Sequence, residues 1–149
     1  MTRFQNGYWM LVVREGKAYV PTVAKTEAGF YMGIEPVEVV DTVDRREVEN
    51  AVMRAIARGN PVVPTPTRDS YPPSPLLKAA NVRSLSALEK SAQTWKLSKT
   101  GGAYEIVLYK RAKPAGALED RQRTELVPDS EPLPVVVHRL VERALGPAE

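Results

Sequence analysis

Few side chains in this sequence have types and spacings that could carry out a reaction. The single histidine, His138, stands among Arg139, Glu142 and Arg143. A histidine works as a general base only beside a positioned nucleophile or an orienting carboxylate. No serine–histidine–aspartate set can be assembled around it, so it reads as a solvated helix residue. Asp41, Asp44, Glu47 and Glu49 form a carboxylate cluster, which would suit glycoside hydrolysis if two of them flanked one bond. Asp44 and Glu47, however, have a local capping role. With one histidine and no cysteine, a zinc site lacks most of its usual ligands. Lys99-Thr100-Gly101-Gly102 contains residues of a phosphate loop, but in neither the GxxxxGKT nor the GxGxxG order. It reads as a turn. No catalytic, cofactor or metal site is assigned, and the chain is expected to be a non-enzymatic binder.

The aromatic residues offer a different chemistry. Trp9, Tyr19, Trp95, Tyr104 and Tyr109 all fall in strand-like segments. Large rings ordinarily pack a sheet against its helices, and both tryptophans are assigned to the core. If instead some faced outward beside Lys96, Lys99, Lys110 and Arg111, bases could stack between cations. Tyr109 is out of parity with Tyr104, Ile106 and Leu108. It is therefore the ring expected at the surface.

The elements that must position these residues follow from periodicity. Tyr8 to Arg14 and Ala18 to Ala24 read as a hairpin across Glu15-Gly16-Lys17, with Pro21 at an edge or a bulge because it cannot donate to a ladder. Phe30 to Ile34 and Val37 to Val40 read as further strand, interrupted at Gly33 and Pro36. Val48, Ala51, Val52, Ala55 and Ile56 form one helical stripe. Asp44 stands at its N-cap, Glu47 is placed to reach back, Val43 and Val48 are at staple positions, and Gly59-Pro61 ends it. Proline-rich 61–75 is expected to be extended, and Leu76 to Ala92 helical in two pieces capped at Ser84 or Ser86. A second hairpin spans 94–99 and 103–110, a short strand is expected over Arg123 to Val127, and a last helix over Pro132 to Leu145.

The two halves echo each other. Trp9 lies 35 residues before Asp44, and Trp95 lies 35 before Ser130, the cap expected for the last helix. Each return strand begins Ala-Tyr, at Ala18-Tyr19 and Ala103-Tyr104. Either a duplicated hairpin–strand–helix unit, spanning 8–59 and 94–146 around a connector 60–93, or the chance recurrence of a common order accounts for this. Both lead to the same expectation of a single α+β domain over 1–149. It has an antiparallel sheet of about six strands covered by two main amphipathic helices.

Composition bounds what such a domain does. The 149 residues include 43% hydrophobic and 26% charged residues, ordinary globular usage. No stretch approaches the about 20 apolar residues of a membrane span. The polar N-terminus lacks a leader pattern, and the absence of cysteine fits a reducing cytoplasm, so no membrane association is expected. Residues 1–60 hold eight Lys/Arg and eight Asp/Glu, residues 61–116 nine against three, and residues 117–149 four against seven. The basic middle therefore sits between a neutral and an acidic flank.

The stretch from Asn60-Pro61-Val62-Val63-Pro64 through Ser84-Leu85-Ser86-Ala87-Leu88-Glu89 to Trp95 resembles immunity proteins of contact-dependent growth inhibition. That resemblance implies a compact bacterial protein that neutralises a secreted toxin domain by covering its surface. The acids Glu35, Glu38, Asp41, Glu49, Glu119 and Asp120 are the candidate partner-binding residues, able to attract a basic partner. The net charge of +3 runs against inhibition of a nuclease, for which an acidic inhibitor is expected. The alternative is a single-strand nucleic-acid binder, similar in layout to Whirly-type or Pur-type proteins. It would use Lys96, Lys99, Tyr109, Lys110 and Arg111, and its affinity would fall steeply with salt.

Overall fold

Alternating apolar residues build two hairpins that meet edge to edge at the centre of one antiparallel sheet. The computed structural model describes residues 5–67, 69, 74–110 and 120–146. In chain order it contains β1 (Gln5–Arg14), β2 (Lys17–Thr26), β3 (Tyr31–Asp41), α1 (Arg45–Arg58), β4 (Val62–Val63) and α2 (Pro75–Ala80). These are followed by α3 (Leu85–Ser91), β5 (Gln93–Thr100), β6 (Ala103–Lys110), β7 (Asp120–Pro128) and α4 (Leu133–Leu145). The sheet order is β3-β2-β1-β5-β6-β7, and β4 adds to β2 in parallel. At the central seam Trp9 pairs with Leu97 and Leu11 with Trp95, so Met10 opposite Lys96 stands midway between two similarly ordered three-strand units.

The first hairpin closes through Glu15 and Gly16, both at positive φ (50° and 77°), the twisted two-residue turn that matches strand twist. Helices α1 and α4 cover one face. Val48, Ala51, Val52 and Ala55 from α1, and Val136, Val137, Leu140 and Val141 from α4, are buried against Trp9, Leu11, Trp95, Leu97 and Ile106. Both tryptophans are thus core. The arginine Arg45 of α1 donates through Nη2 to the carbonyls of Leu145 (3.3 Å) and Gly146 (2.5 Å), placing a cation at the negative end of α4.

The connector does more than join the halves. Helices α2 and α3 lie on the other face, where Leu76, Ala80 and Leu88 bury Val12 and Tyr19. The sheet is therefore covered on both sides over β1–β2–β3, with the two expected main helices on one face and the two short connector helices added on the other. The serine Ser84 caps α3 by accepting from Ala87 N–H at 3.1 Å.

Three local expectations are corrected. Asp44 does cap α1, accepting from Glu47 N–H at 3.2 Å, but the Glu47 carboxylate turns to Arg54 at 2.6 Å instead of reaching back. Val43 forms no staple, since it is 87% exposed. Ser130 does not cap α4, whose N-cap is Pro132 with no side-chain hydrogen bond. A proline there presets the entry angle without supplying an acceptor.

Of the two places expected for Pro21, an edge or a bulge, it takes the second: it lies inside the sheet and the register shifts beside it. Strands β1 and β2 pair only from Val12–Tyr19 to Arg14–Lys17 and then splay apart. The missing proline N–H falls at the point of divergence, where no ladder bond is required. Asn60 fills the wedge. Its Nδ2 donates to Tyr8 O (2.8 Å) and Val23 O (2.9 Å), while its Oδ1 accepts from Tyr8 N–H (3.2 Å). One carboxamide thus replaces the missing rung between Tyr8 and Val23.

Candidate functional site

The sheet ends at β3, and among the described residues no strand pairs with its outer side. Hydrogen-bond parity decides which of its groups face outward. Thr42 N–H donates to Gly16 O at 3.0 Å. With Lys17 opposite Asp41, that bond makes Ala18–Val40 and Val20–Glu38 the hydrogen-bonded pairs. Tyr19–Val39 and Pro21–Val37 are then the non-bonded pairs, so the N–H and C=O groups of Val37 and Val39 point away from β2. Glu35 and Pro36 have no opposite residues in β2, because Val37 pairs with Pro21 and Ile34 with Thr22. The Glu35–Pro36 bond is cis. This two-residue bulge divides the edge, leaving Val37–Asp41 as one regular outer segment.

Side chains around that segment mix apolar and acidic character. Val39 is 49% exposed and Val43 87%. Glu35 and Asp41 are exposed as well. Asp41 accepts from Val43 N–H at 3.1 Å and stands 3.8 Å from Lys17 Nζ, with both side chains about half exposed. Solvent screens such a pair heavily.

Glu38 points to the other face, under α1. Arg54 holds it through Nε (3.0 and 3.1 Å) and Nη2 (2.6 Å), and Arg58 approaches at 3.4 Å. The Arg54 hydrogen bonds, with Arg58 behind them, keep the Glu38 carboxyl below its ordinary range against some opposing desolvation. Arg54 also hydrogen-bonds Glu47 and lowers its carboxyl in the same way. Glu38 is therefore committed to fixing β3 to α1, a use that its position in sequence gave no sign of.

The other candidate acids are elsewhere. Glu49 lies on α1, 3.1 Å from His138 Nδ1 of α4. Glu119 lies outside the described residues, and Asp120 opens β7 at the opposite edge of the sheet from β3. Of the four acids whose side chains are described, Glu35 and Asp41 share exposed positions along one edge.

The nucleic-acid candidates divide as well. Lys96 lies over the ring of Tyr8 at 5.6 Å, on the face opposite Trp95, whereas Lys99 lies over Tyr104 at 5.4 Å on the α4 side. Trp95 and Tyr104 are buried. Lys110 belongs to β6 with Tyr109, whose side chain is outside the described set, as is the whole of Arg111. Sequence reading passed over a second aromatic group: Tyr8 and Tyr31 stack with centroids 5.0 Å apart and 15° between planes. Lys25 lies over Tyr31 at 5.8 Å. Burial raises the Tyr31 phenol above its ordinary range. Each ring meets the other tyrosine and a lysine, so a base could stack there only by displacing an existing contact. Strand parity puts Tyr8 and Tyr31 on one face, but their pairing depends on the splay of β1 from β2, which no local pattern encodes.

Among the described residues no group of three or more His, Asp or Glu is arranged to hold a metal ion, and no helix is long and apolar enough to cross a membrane.

No protein-family description matches the sequence, and no curated protein matches it. Among solved structures, the fold is similar to that of a protein of unknown function from Neisseria meningitidis. The two share 13% identity with a TM-score of 0.58, over 97% of this chain and 98% of that one. The likeness extends over both chains nearly end to end and concerns the fold alone.

Proposed function

We propose that the protein is a non-enzymatic binding module of the immunity type, which neutralises a bacterial toxin domain by covering its surface. The observation that carries this reading is the outer side of β3. There an unpaired strand segment, exposed Val39 and Val43, and the carboxylates of Glu35 and Asp41 lie together. Exposed apolar side chains rimmed by charge mark surfaces that associate with other proteins. The acids would speed encounter with a basic partner even though the whole chain carries +3. The cytoplasm is the compartment in which an inhibitor of this kind protects its own cell.

Co-expression with the product of a neighbouring toxin gene tests the proposal. A stoichiometric complex and restored growth are expected, with Val43→Asp weakening both. Unrelieved toxicity and no complex would count against it. The nucleic-acid alternative keeps one favourable feature, the Lys25–Tyr31–Tyr8–Lys96 group on one face. Titrating a labelled oligonucleotide at low salt separates the two, since absence of binding there removes the alternative.

A further inference from the structure

The geometry points to strand addition at Val37–Asp41, with an extended segment of a basic partner chain as the occupant. This inference rests on the protein-binding reading and specifies how the contact is made. Val37 and Val39 direct N–H and C=O groups outward from a terminal strand, and an incoming extended chain satisfies such groups without rearrangement of the host. The bulge at Glu35–Pro36 stops any added ladder at one end. At the other, Asp41 O already accepts from Asp44 N–H at 3.0 Å, where the chain turns into α1. The open template is therefore short and bounded on both sides.

Side chains set the chemistry of the occupant. On the face opposite α1, an added strand would place one residue beside half-exposed Val39 and another, two positions away, beside Asp41. An apolar residue and a cation at alternate positions fit this pair, and a second cation at the opposite end of the segment would meet exposed Glu35. On the α1 face the added strand would run past Glu38, whose charge Arg54 and Arg58 already balance, so a neutral residue suits that side. A second copy of this chain fits poorly. Antiparallel pairing centred on Val39 would set Asp41 opposite Val37, leaving the carboxylate without the cation that a basic partner supplies.

The test uses random peptides of about twelve residues displayed on phage, long enough to span the segment, with the whole protein as bait. Expected winners carry Lys or Arg two positions from an apolar residue and lack proline between them. They should slow hydrogen exchange at the Val37 and Val39 amides. Val39→Pro removes an outward N–H while leaving the bonds to β2 intact, and should weaken the winning peptide at least about tenfold. Should that variant fail to fold, Asp41→Lys combined with Glu35→Lys gives the same reading through charge. Peptides that bind these variants undiminished, or protect amides away from β3, overturn strand addition while leaving protein binding intact. Enrichment of no peptide also overturns it, as does a wild-type dimer abolished by Val39→Pro. Failure of the immunity reading shows separately, in the toxin co-expression experiment.

Discussion

Replacing Asn60 tests whether one side chain holds the splayed strands together. Asn60→Ala removes three hydrogen bonds, leaving Tyr8 N–H, Tyr8 O and Val23 O without the carboxamide. At about 0.5–1.5 kcal/mol net for each bond, and with the site only half-buried so that water recovers part, the loss should be about 1–3 kcal/mol. For a chain of this size that lowers Tm by roughly 3–10 °C. Asn60→Asp separates this account from simple loss of volume. Its carboxylate can still accept from Tyr8 N–H but faces two carbonyl oxygens with no proton to offer, so near pH 7 it should be less stable than Asn60→Ala. The same repulsion raises the new carboxyl's folded-state pKa above its unfolded value. Protonation then restores a donor, and Asn60→Asp should gain on Asn60→Ala as pH falls. Urea unfolding followed by circular dichroism, at about pH 7 and about pH 5, reads both differences. An aspartate variant as stable as the alanine variant at both values would refute the bridging role.

Three further outcomes are expected. Glu38→Gln should lower stability at neutral pH by about 1 kcal/mol and flatten the acid side of the stability profile. Because the folded-state pKa of Glu38 is depressed by Arg54 and Arg58, its contribution is present above the ordinary carboxylate range and lost as pH falls through the folded value; an unchanged acid limb in urea titrations would contradict this. Gly7→Ala should displace the Trp9 ring, since a Cβ there would stand 2.1 Å from ring carbon Cη2. A destabilisation of about 1–3 kcal/mol and a shifted tryptophan emission are expected, and an unaltered spectrum would count against the close approach. Leu140→Ala, at a position only 1% exposed beneath α4, should cost about 2–5 kcal/mol in chemical denaturation. A cost below about 1 kcal/mol would mean that α4 is not packed as described.

Binding along a strand edge, as proposed, asks for a firmly held strand more than for a cleft. The β1–β2–β3 half is clamped by α1 on one face and by α2 and α3 on the other. The Glu38–Arg54–Arg58 group ties the edge strand to α1. Held in this way, β3 keeps an extended shape in the absence of a partner, which reduces the ordering that association would otherwise require.

Sequence periodicity alone determined both hairpins, the two striped helices and the burial of Trp9 and Trp95. Each rests on contacts a few residues apart or on the parity of a single strand. The same locality found the Asp44 cap and narrowed that of α3 to Ser84 or Ser86, and in both helices the acceptor lies three residues from the N–H it binds. Tertiary structure decided the rest. Val43 looked like a staple until the path of the chain left it in water, and Glu47 like half of a capping box until Arg54 competed for it. Glu38 resembled Glu35 and Asp41 as a candidate acid, yet the packing of α1 on β3 engaged its carboxylate with Arg54 and Arg58. Asn60 meets Tyr8 and Val23 across 52 and 37 residues of sequence. A pattern read within one element carries no information about which distant backbone will lack a partner. That depends on how the elements meet, and here it sets both the wedge at Asn60 and the open side of β3.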